Sequence, residues 1–98
     1  MTVTGDLINL AKMARRITTD AYNSQIEMIL NAGLQDLGVA GVVVPDESTA
    51  IVEQALITYF LMNFGEPENY DRLKASYDEQ KAQLSMHTGF TDWSVING

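Results

Sequence analysis

The chain has 98 residues, of which 46% are apolar. That is enough for one small domain with a hydrophobic core, and it excludes disorder throughout the chain. There is no cysteine, so disulfides and thiolate metal sites are excluded. Six basic residues stand against thirteen acidic ones, for a formal charge of −7. This balance argues against a protein that wraps nucleic acid or binds an anionic membrane surface.

The first predicted helix covers residues 4–16. Apolar residues recur there at three- and four-residue steps and form one stripe, namely Leu7, Leu10, Ala11 and Ala14. Lys12, Arg15 and Arg16 lie near its end, where cations suit the helix dipole. We interpret these cations as helix-end charges rather than as a DNA-binding patch.

The second helix is predicted to begin at the capping sequence Thr18-Thr19-Asp20 and to stop at Gly38. Gly33 lies within its apolar stripe and weakens the helix by roughly 1 kcal/mol relative to alanine. A glycine at such a position predicts a close crossing with another helix.

The segment that follows, GVAGVVVP, combines loop-forming glycines with three strand-like valines, Val42, Val43 and Val44. A short extended segment is expected here. Two interpretations remain open: the valines cover the core of their own bundle, or they form an exposed apolar contact for a partner.

The third helix is predicted from about residue 46 to Phe64, with Gly65 as its stop. It is apolar on nearly all sides, which indicates burial on several sides. Either it is the central helix of the bundle, or a second copy of the chain covers part of it. The stretch 50–64 is too short and too polar to cross a bilayer, so no membrane contact is expected.

The fourth helix is predicted to start around Pro67 and to fade near His87, with Tyr70, Leu73, Tyr77 and Leu84 as its apolar stripe. The chain thus divides into a helical domain, 1–87, and a C-terminal arm, 88–98. The fold class predicted is all-α: a small bundle of about four helices with an extended loop and a flexible C-terminal arm.

The arm carries large apolar residues, among them Phe90 and Trp93. A terminal segment gains nothing from a tryptophan unless the ring docks somewhere. Docking on its own domain and docking on a neighbouring subunit or partner are both open. Under the second interpretation, the partner and self-assembly contacts are Val42, Val43, Val44, Phe90 and Trp93.

Motifs for catalysis are missing from the sequence. His87 is the only histidine, so neither a zinc cluster nor a catalytic triad is indicated. Glu66, Glu68 and Asp71 form a dense group of acids, but they lack the spacing of a calcium-binding loop. We therefore expect no enzyme activity, no cofactor and no metal site.

Two stretches of the chain carry a family resemblance. The first stretch, residues 16–42, reads RITTDAYNSQIEMILNAGLQDLGVAGV. The second begins with a long apolar helix that ends in Asn63-Phe64-Gly65. A tyrosine-containing helix follows, from Tyr77 to Leu84-Ser85. From about residue 16 onward this pattern resembles the head–tail connector family of tailed bacteriophages, also called head-completion or DNA-packaging proteins. The matching positions of the first stretch are Arg16, Ile17, Thr18, Ile26, Ile29, Leu30 and Ala32. Gly33 departs from the pattern, since the family often has alanine there.

The resemblance implies a structural protein of the phage or prophage virion, located at the head–tail interface and in the host cytoplasm during assembly. Its partners would be further copies of itself in a dodecameric ring, together with the portal protein and a stopper or tail-completion protein. Double-stranded DNA would pass through the ring without sequence-specific binding.

A channel lined with carboxylates would repel the DNA duplex and let it slide. We nominate four acids as channel-facing on this ground, namely Glu27, Glu53, Asp78 and Glu79. The alternative function is a small cytosolic helical module, regulatory or adaptor, that binds one protein partner. A nucleic-acid-binding protein is a third possibility, and the only local cation cluster it could use is Lys12, Arg15 and Arg16.

Overall fold

The computed structural model describes residues 2–42 and 50–86. These residues form four α-helices and no strand: α1 (Gly5–Ala14), α2 (Asn23–Val39), α3 (Ala50–Asn63) and α4 (Tyr70–Met86). The prediction of a small all-α bundle is confirmed. The predicted arm, the loop valines Val43 and Val44, and His87 lie outside the described residues.

Helix α3 is the centre of the bundle, because it packs against each of the other three helices. Its side chains Val52, Ala55, Leu56 and Phe60 are fully buried. Central packing therefore explains a helix that is apolar on nearly all sides. The buried core also draws on every other helix, through Leu7, Ala11, Ile26, Leu30, Leu37, Tyr77 and Leu84.

Helix α1 begins with a side-chain cap and ends in a tight turn. The Thr4 hydroxyl accepts a hydrogen bond from the Leu7 amide at 3.2 Å, as expected of an N-cap residue. At the other end Arg16 has φ +57°, and the Ile17 amide donates to the Lys12 carbonyl at 2.8 Å. This is the Schellman turn that ends many helices. The helix therefore stops at Ala14, two residues before the predicted end.

Helix α2 starts later and ends later than its sequence predicted. Residues 18–22 form a turn in which the Thr19 hydroxyl accepts from the Ala21 amide at 3.2 Å, and the helix begins at Asn23. Gly38 lies inside the helix, and the residue with positive φ is Gly41, at +89°. The Val42 amide donates to the Leu37 carbonyl at 2.9 Å. The prediction that Gly38 stops the helix was wrong, because Gly41 supplies the left-handed residue that a Schellman turn needs.

Gly33 marks the crossing of α2 and α3, as predicted. A Cβ atom on Gly33 would lie 3.0 Å from the Leu56 Cδ2 and 3.0 Å from the Tyr59 Cδ1. Both distances are too short for a carbon–carbon contact without movement of the neighbour. The absence of a side chain at this position therefore sets how closely the two helices approach.

The connection between α3 and α4 is longer than predicted. Gly65 has φ +71° and ends α3, in agreement with its prediction as a stop. Helix α4 does not start at Pro67 but at Tyr70, after a turn whose Asn69 carbonyl accepts from the Leu73 amide at 3.0 Å. The predicted start of α3 before Ala50 falls outside the described residues.

Candidate interaction surfaces

Val42 lies in the hydrophobic core rather than on the surface. Only 4% of it is exposed, and it follows the Schellman turn of α2, where an apolar contact with the last helical turn is usual. Of the two interpretations of the valines, burial in the bundle describes Val42. Val42 was predicted as a partner contact, but the turn at Gly41 directs the chain back towards the core, where Val42 is buried. The other nominated contacts, Val43, Val44, Phe90 and Trp93, lie outside the described residues.

The four acids nominated for the channel lie on three different helices. Glu27 is exposed on α2, Glu53 is half-buried on α3, and Asp78 and Glu79 are exposed on α4. Asp78 already holds a partner, since the Lys74 ammonium donates to it at 2.8 Å. This hydrogen bond, together with the charge of Asp78, raises the pKa of Lys74. Within 2–42 and 50–86, no ion pair or hydrogen bond links any two of the four acids.

A wide groove lies between α1 and α3. It is open to solvent and has a volume of about 630 Å³. Its walls are mainly apolar, with Leu10, Met13, Ala14, Ala50, Glu53, Gln54, Ile57 and Thr58 as lining residues. Leu10 is 42% exposed and Met13 is 73% exposed. Helix α1 therefore packs on the bundle through the buried Leu7 and Ala11 and the partly buried Ile8, and none of the described residues covers its second apolar edge.

The amino-acid sequence contains a partial signal for this groove. The predicted stripe of α1 placed Leu7, Leu10, Ala11 and Ala14 on one buried face, whereas the structure buries only Leu7 and Ala11. The stripe is wider than one contact with α3 can cover. Met13 at the edge of that stripe was the additional sign that an apolar surface continues beyond the core.

A smaller pocket lies between α3 and α4. It has a volume of about 170 Å³, and its lining residues are Ile51, Gln54, Gln80, Gln83 and Leu84. The side-chain oxygen of Gln80 is buried and accepts no hydrogen bond from the described residues. Most buried acceptors in proteins have a donor, so this oxygen stands out. Periodicity predicts Leu84 as a core residue but contains no signal for a pocket beside it.

A polar cluster joins α2 to α4 on another side of the bundle. The Tyr77 hydroxyl donates to the Asp36 carboxylate at 2.5 Å, and the Lys81 ammonium donates to the same oxygen at 3.1 Å. The Tyr77 ring packs against the Tyr59 ring, with centroids 5.2 Å apart. The Lys81 ammonium also lies 5.1 Å from the centre of the Tyr77 ring. The Tyr77 hydroxyl and the Lys81 ammonium are both bonded to Asp36 and link the two helices, which indicates a structural role.

The ionisation of this cluster follows from its contacts. Partial burial alone would raise the pKa of Asp36, but the hydrogen bonds from Tyr77 and Lys81 outweigh it and hold the pKa below its ordinary value. Burial, reinforced by the Asp36 carboxylate, raises the pKa of Tyr77. Asp36 is thus a carboxylate and Tyr77 a neutral donor at neutral pH. The sequence did not reveal the contact, because its residues are 41 positions apart.

The cations near the end of α1 mostly have intramolecular partners. The Lys12 ammonium contacts the Asp20 carboxylate at 2.6 Å, and this hydrogen bond, with the charge of Lys12, lowers the pKa of Asp20. The Arg15 guanidinium lies 5.6 Å from the centre of the Phe64 ring. Two of the three cations that a DNA-binding patch would need are therefore engaged within the bundle.

Residues 2–42 and 50–86 contain no group of three or more histidine, cysteine or acidic side chains placed to hold a metal ion. None of the helices in these ranges is long and apolar enough to cross a membrane. The α1/α3 groove and the α3/α4 pocket each have room for another molecule.

No protein-family model, curated protein or solved structure matches the chain. The resemblance to the head–tail connector family stays a prediction that depends on the residue pattern alone. The geometry of the two surfaces supplies the remaining basis for a functional proposal.

Proposed function

We propose that the chain is a structural head–tail connector of a tailed bacteriophage or prophage. Its copies form a ring under the portal protein, extend the DNA channel and join the capsid to the stopper or tail proteins. The observation that carries the proposal is the α1/α3 groove, an open apolar surface on a small acidic helical subunit. The family resemblance of the sequence supplies the kind of assembly.

The groove has the properties of a helix-binding surface. Its volume of about 630 Å³ exceeds what a single side chain fills, and its large exposed apolar side chains are Leu10 and Met13, on adjacent turns of α1. Methionine is enriched at interfaces because its flexible side chain fits differently shaped partners. In a ring, a helix of the neighbouring subunit would cover this surface.

The net charge of the chain suits a protein that does not bind the DNA moving past it. The net charge is −7, and Lys12 and Arg15 already have contacts within the bundle. A specific DNA-binding protein would instead present clustered cations to the phosphates. Under the proposal, double-stranded DNA moves through the ring without sequence-specific binding.

Electron microscopy of the purified protein, alone and mixed with the portal protein encoded beside it, tests the proposal. Rings, or added density on the narrow end of the portal, are the expected result. Met13→Asp places a charge in the α1/α3 groove and should abolish both. Met28→Asp is the matched control, because Met28 is 65% exposed on α2 and does not line the groove.

Other outcomes have defined meanings. Small uniform particles that ignore the portal would overturn the connector proposal and favour the regulatory or adaptor module, with the groove as the site for its single partner. Assembly that survives Met13→Asp would show that the groove is not the contact. Circular dichroism of each variant establishes that the helices are retained.

A further inference from the structure

We propose that the α3/α4 pocket is the binding site of the Trp93 indole ring of the same chain. The C-terminal segment would then lie against the bundle that precedes it. The inference depends on the pocket and does not require the connector function.

The pocket has the size and chemistry of a site for one aromatic ring. Its volume is about 170 Å³, and a cavity of about 150 Å³ in another protein accommodates benzene. Ile51 and Leu84 supply apolar walls, whereas the other lining residues are glutamines, whose amides carry no charge. A helix is too large for this space, and a charged side chain would find no ion-pair partner among the lining residues.

Gln80, which lines the pocket, also carries an acceptor that lacks a donor among the described residues. The side-chain oxygen of Gln80 is buried, and no described residue donates to it. The best ligand is therefore apolar over most of its surface and carries one N–H group. The indole of tryptophan has this composition, because its nitrogen is a donor only. Trp93 is the single tryptophan of the chain.

Chain connectivity places Trp93 within reach of the pocket. Helix α4 ends at Met86, two residues after the pocket residue Leu84. Trp93 follows Met86 by seven residues, and seven residues of a flexible chain span about 15 Å on average and roughly 25 Å when extended. A short connection of this kind gives an effective concentration in the millimolar range. The pocket of the same chain is thus favoured over that of another copy.

Tryptophan fluorescence of the full chain tests the proposal, since Trp93 is the only emitter of its kind. We expect blue-shifted emission and weak quenching by acrylamide in the native protein. Ile51→Asp should shift the emission to the red and increase quenching. Ile51 is 50% exposed, so the bundle should tolerate the change. Met13→Asp, in the other groove, is the control and should leave emission unchanged.

A second variant keeps the proposal testable if Ile51→Asp does not fold. Gln83 lines the pocket and is exposed, so Gln83→Arg obstructs the pocket without touching the core and should also expose Trp93. Solvent-exposed emission in the native protein would overturn the proposal. Protected emission that neither pocket variant changes would do the same, because Trp93 would then be bound elsewhere.

A mixing experiment distinguishes the chain's own pocket from that of a second copy. Ile51→Asp protein retains Trp93 but lacks the proposed site, whereas Trp93→Phe protein retains the site but lacks the emitter. If each chain binds its own indole, the mixture keeps the red-shifted emission of the Ile51→Asp protein. Recovery of blue-shifted emission in the mixture, or a red shift of the native protein on dilution, would mean that another copy is the occupant and would contradict the proposal.

Discussion

At the scale of single residues, Arg16 is the one non-glycine residue with positive φ in the described part of the chain. Arg16 has φ +57° and occupies the left-handed position of the turn that ends α1. Side chains with a Cβ atom disfavour this conformation, which glycine adopts readily. The position thus holds an arginine where helix-ending turns commonly hold glycine, as Gly41 and Gly65 do at the ends of α2 and α3.

We predict that Arg16→Gly stabilises the protein. Relief of the left-handed strain outweighs the greater freedom of glycine in the unfolded chain, for a net gain of about 0.5–1 kcal/mol. Urea denaturation gives the free energy of unfolding of both proteins. Arg16→Ala is the control, because it removes the guanidinium but keeps the Cβ atom, and its stability should not rise. An equal gain in both variants would attribute the effect to the charge.

The Tyr77–Asp36 hydrogen bond is the shortest polar contact between α2 and α4 among the described residues, at 2.5 Å. Tyr77→Phe removes the donor, and we expect a loss of about 1 kcal/mol at neutral pH. That figure lies below the usual value for a bond to a charged group, because solvent competes for the partly exposed carboxylate. Chemical denaturation measures the loss. Tyr70→Phe is the control, since Tyr70 is 41% exposed, and its effect should stay within ~0.5 kcal/mol.

The same contact gives the stability a defined pH dependence. The pKa of Asp36 is lower in the folded protein than its ordinary value, which is about 3.9 in an unfolded chain. The stabilisation is therefore complete above that value, and it disappears as pH falls through the lower, folded pKa. The difference in unfolding free energy between native protein and Tyr77→Phe should be constant above about pH 5 and shrink below about pH 4. A difference that grows on acidification would contradict this assignment.

At the scale of the elements, the two glycines inside α2 have opposite surroundings. A Cβ atom on Gly33 would meet Leu56 and Tyr59 at 3.0 Å, whereas a Cβ atom on Gly38 would meet nothing within 4 Å. Both lie in the helix, so alanine should improve helix propensity at each. Only Gly33 lies at the crossing with α3. The pair therefore separates the effect of packing from that of propensity.

We predict that Gly33→Ala destabilises the protein by about 1–2 kcal/mol, because the Leu56 side chain and the Tyr59 ring must move to admit the methyl group. Gly38→Ala should stabilise it by about 0.5–1 kcal/mol through helix propensity alone. Thermal unfolding followed by circular dichroism compares the two variants. If Gly33→Ala were as stabilising as Gly38→Ala, the close crossing of α2 and α3 would not limit the fold.

The same elements show how far the sequence determines the prediction. Periodicity identified all four helices of the described residues and most of their buried side chains, since a helix in a small bundle must cover one apolar stripe. The ends were less predictable. Gly38 and Gly41 are equally plausible stops, and only the position of Val42 in the core decides between them. The Asp36–Tyr77 contact and the α3/α4 pocket depend on how distant helices meet, so spacing along the chain cannot reveal them.

At the scale of the whole molecule, charge is the dominant property. The net charge of −7 is spread over acids on several helices, while Lys12, Lys74 and Lys81 are each paired with an aspartate. The surface field is therefore set by acids such as Glu27 and Glu79, which are exposed. Repulsion between like charges keeps such a subunit away from DNA unless other contacts hold the two together.

In the proposed ring this field has a direct consequence for DNA movement. Glu79 and Glu27 are the best test positions among the nominated channel acids, because Asp78 is bound to Lys74 and Glu53 is half-buried. We predict that Glu27→Lys combined with Glu79→Lys slows DNA ejection from particles completed with this protein. Lysines in the channel would bind the phosphates that the carboxylates repel. The rate of ejection at low salt is the measurement, and the slowing should weaken as salt is added.

A charge-matched control separates the channel from the overall field. Glu66 and Glu68 are exposed in the connection between α3 and α4, and changing both to lysine alters the net charge by the same amount. If these acids lie outside the channel, ejection with this control should resemble that with the native protein. Unchanged ejection with the Glu27 and Glu79 variant would exclude a repulsive channel lined by these residues. Equal slowing by both variants would attribute the effect to net charge alone, because position would then make no difference.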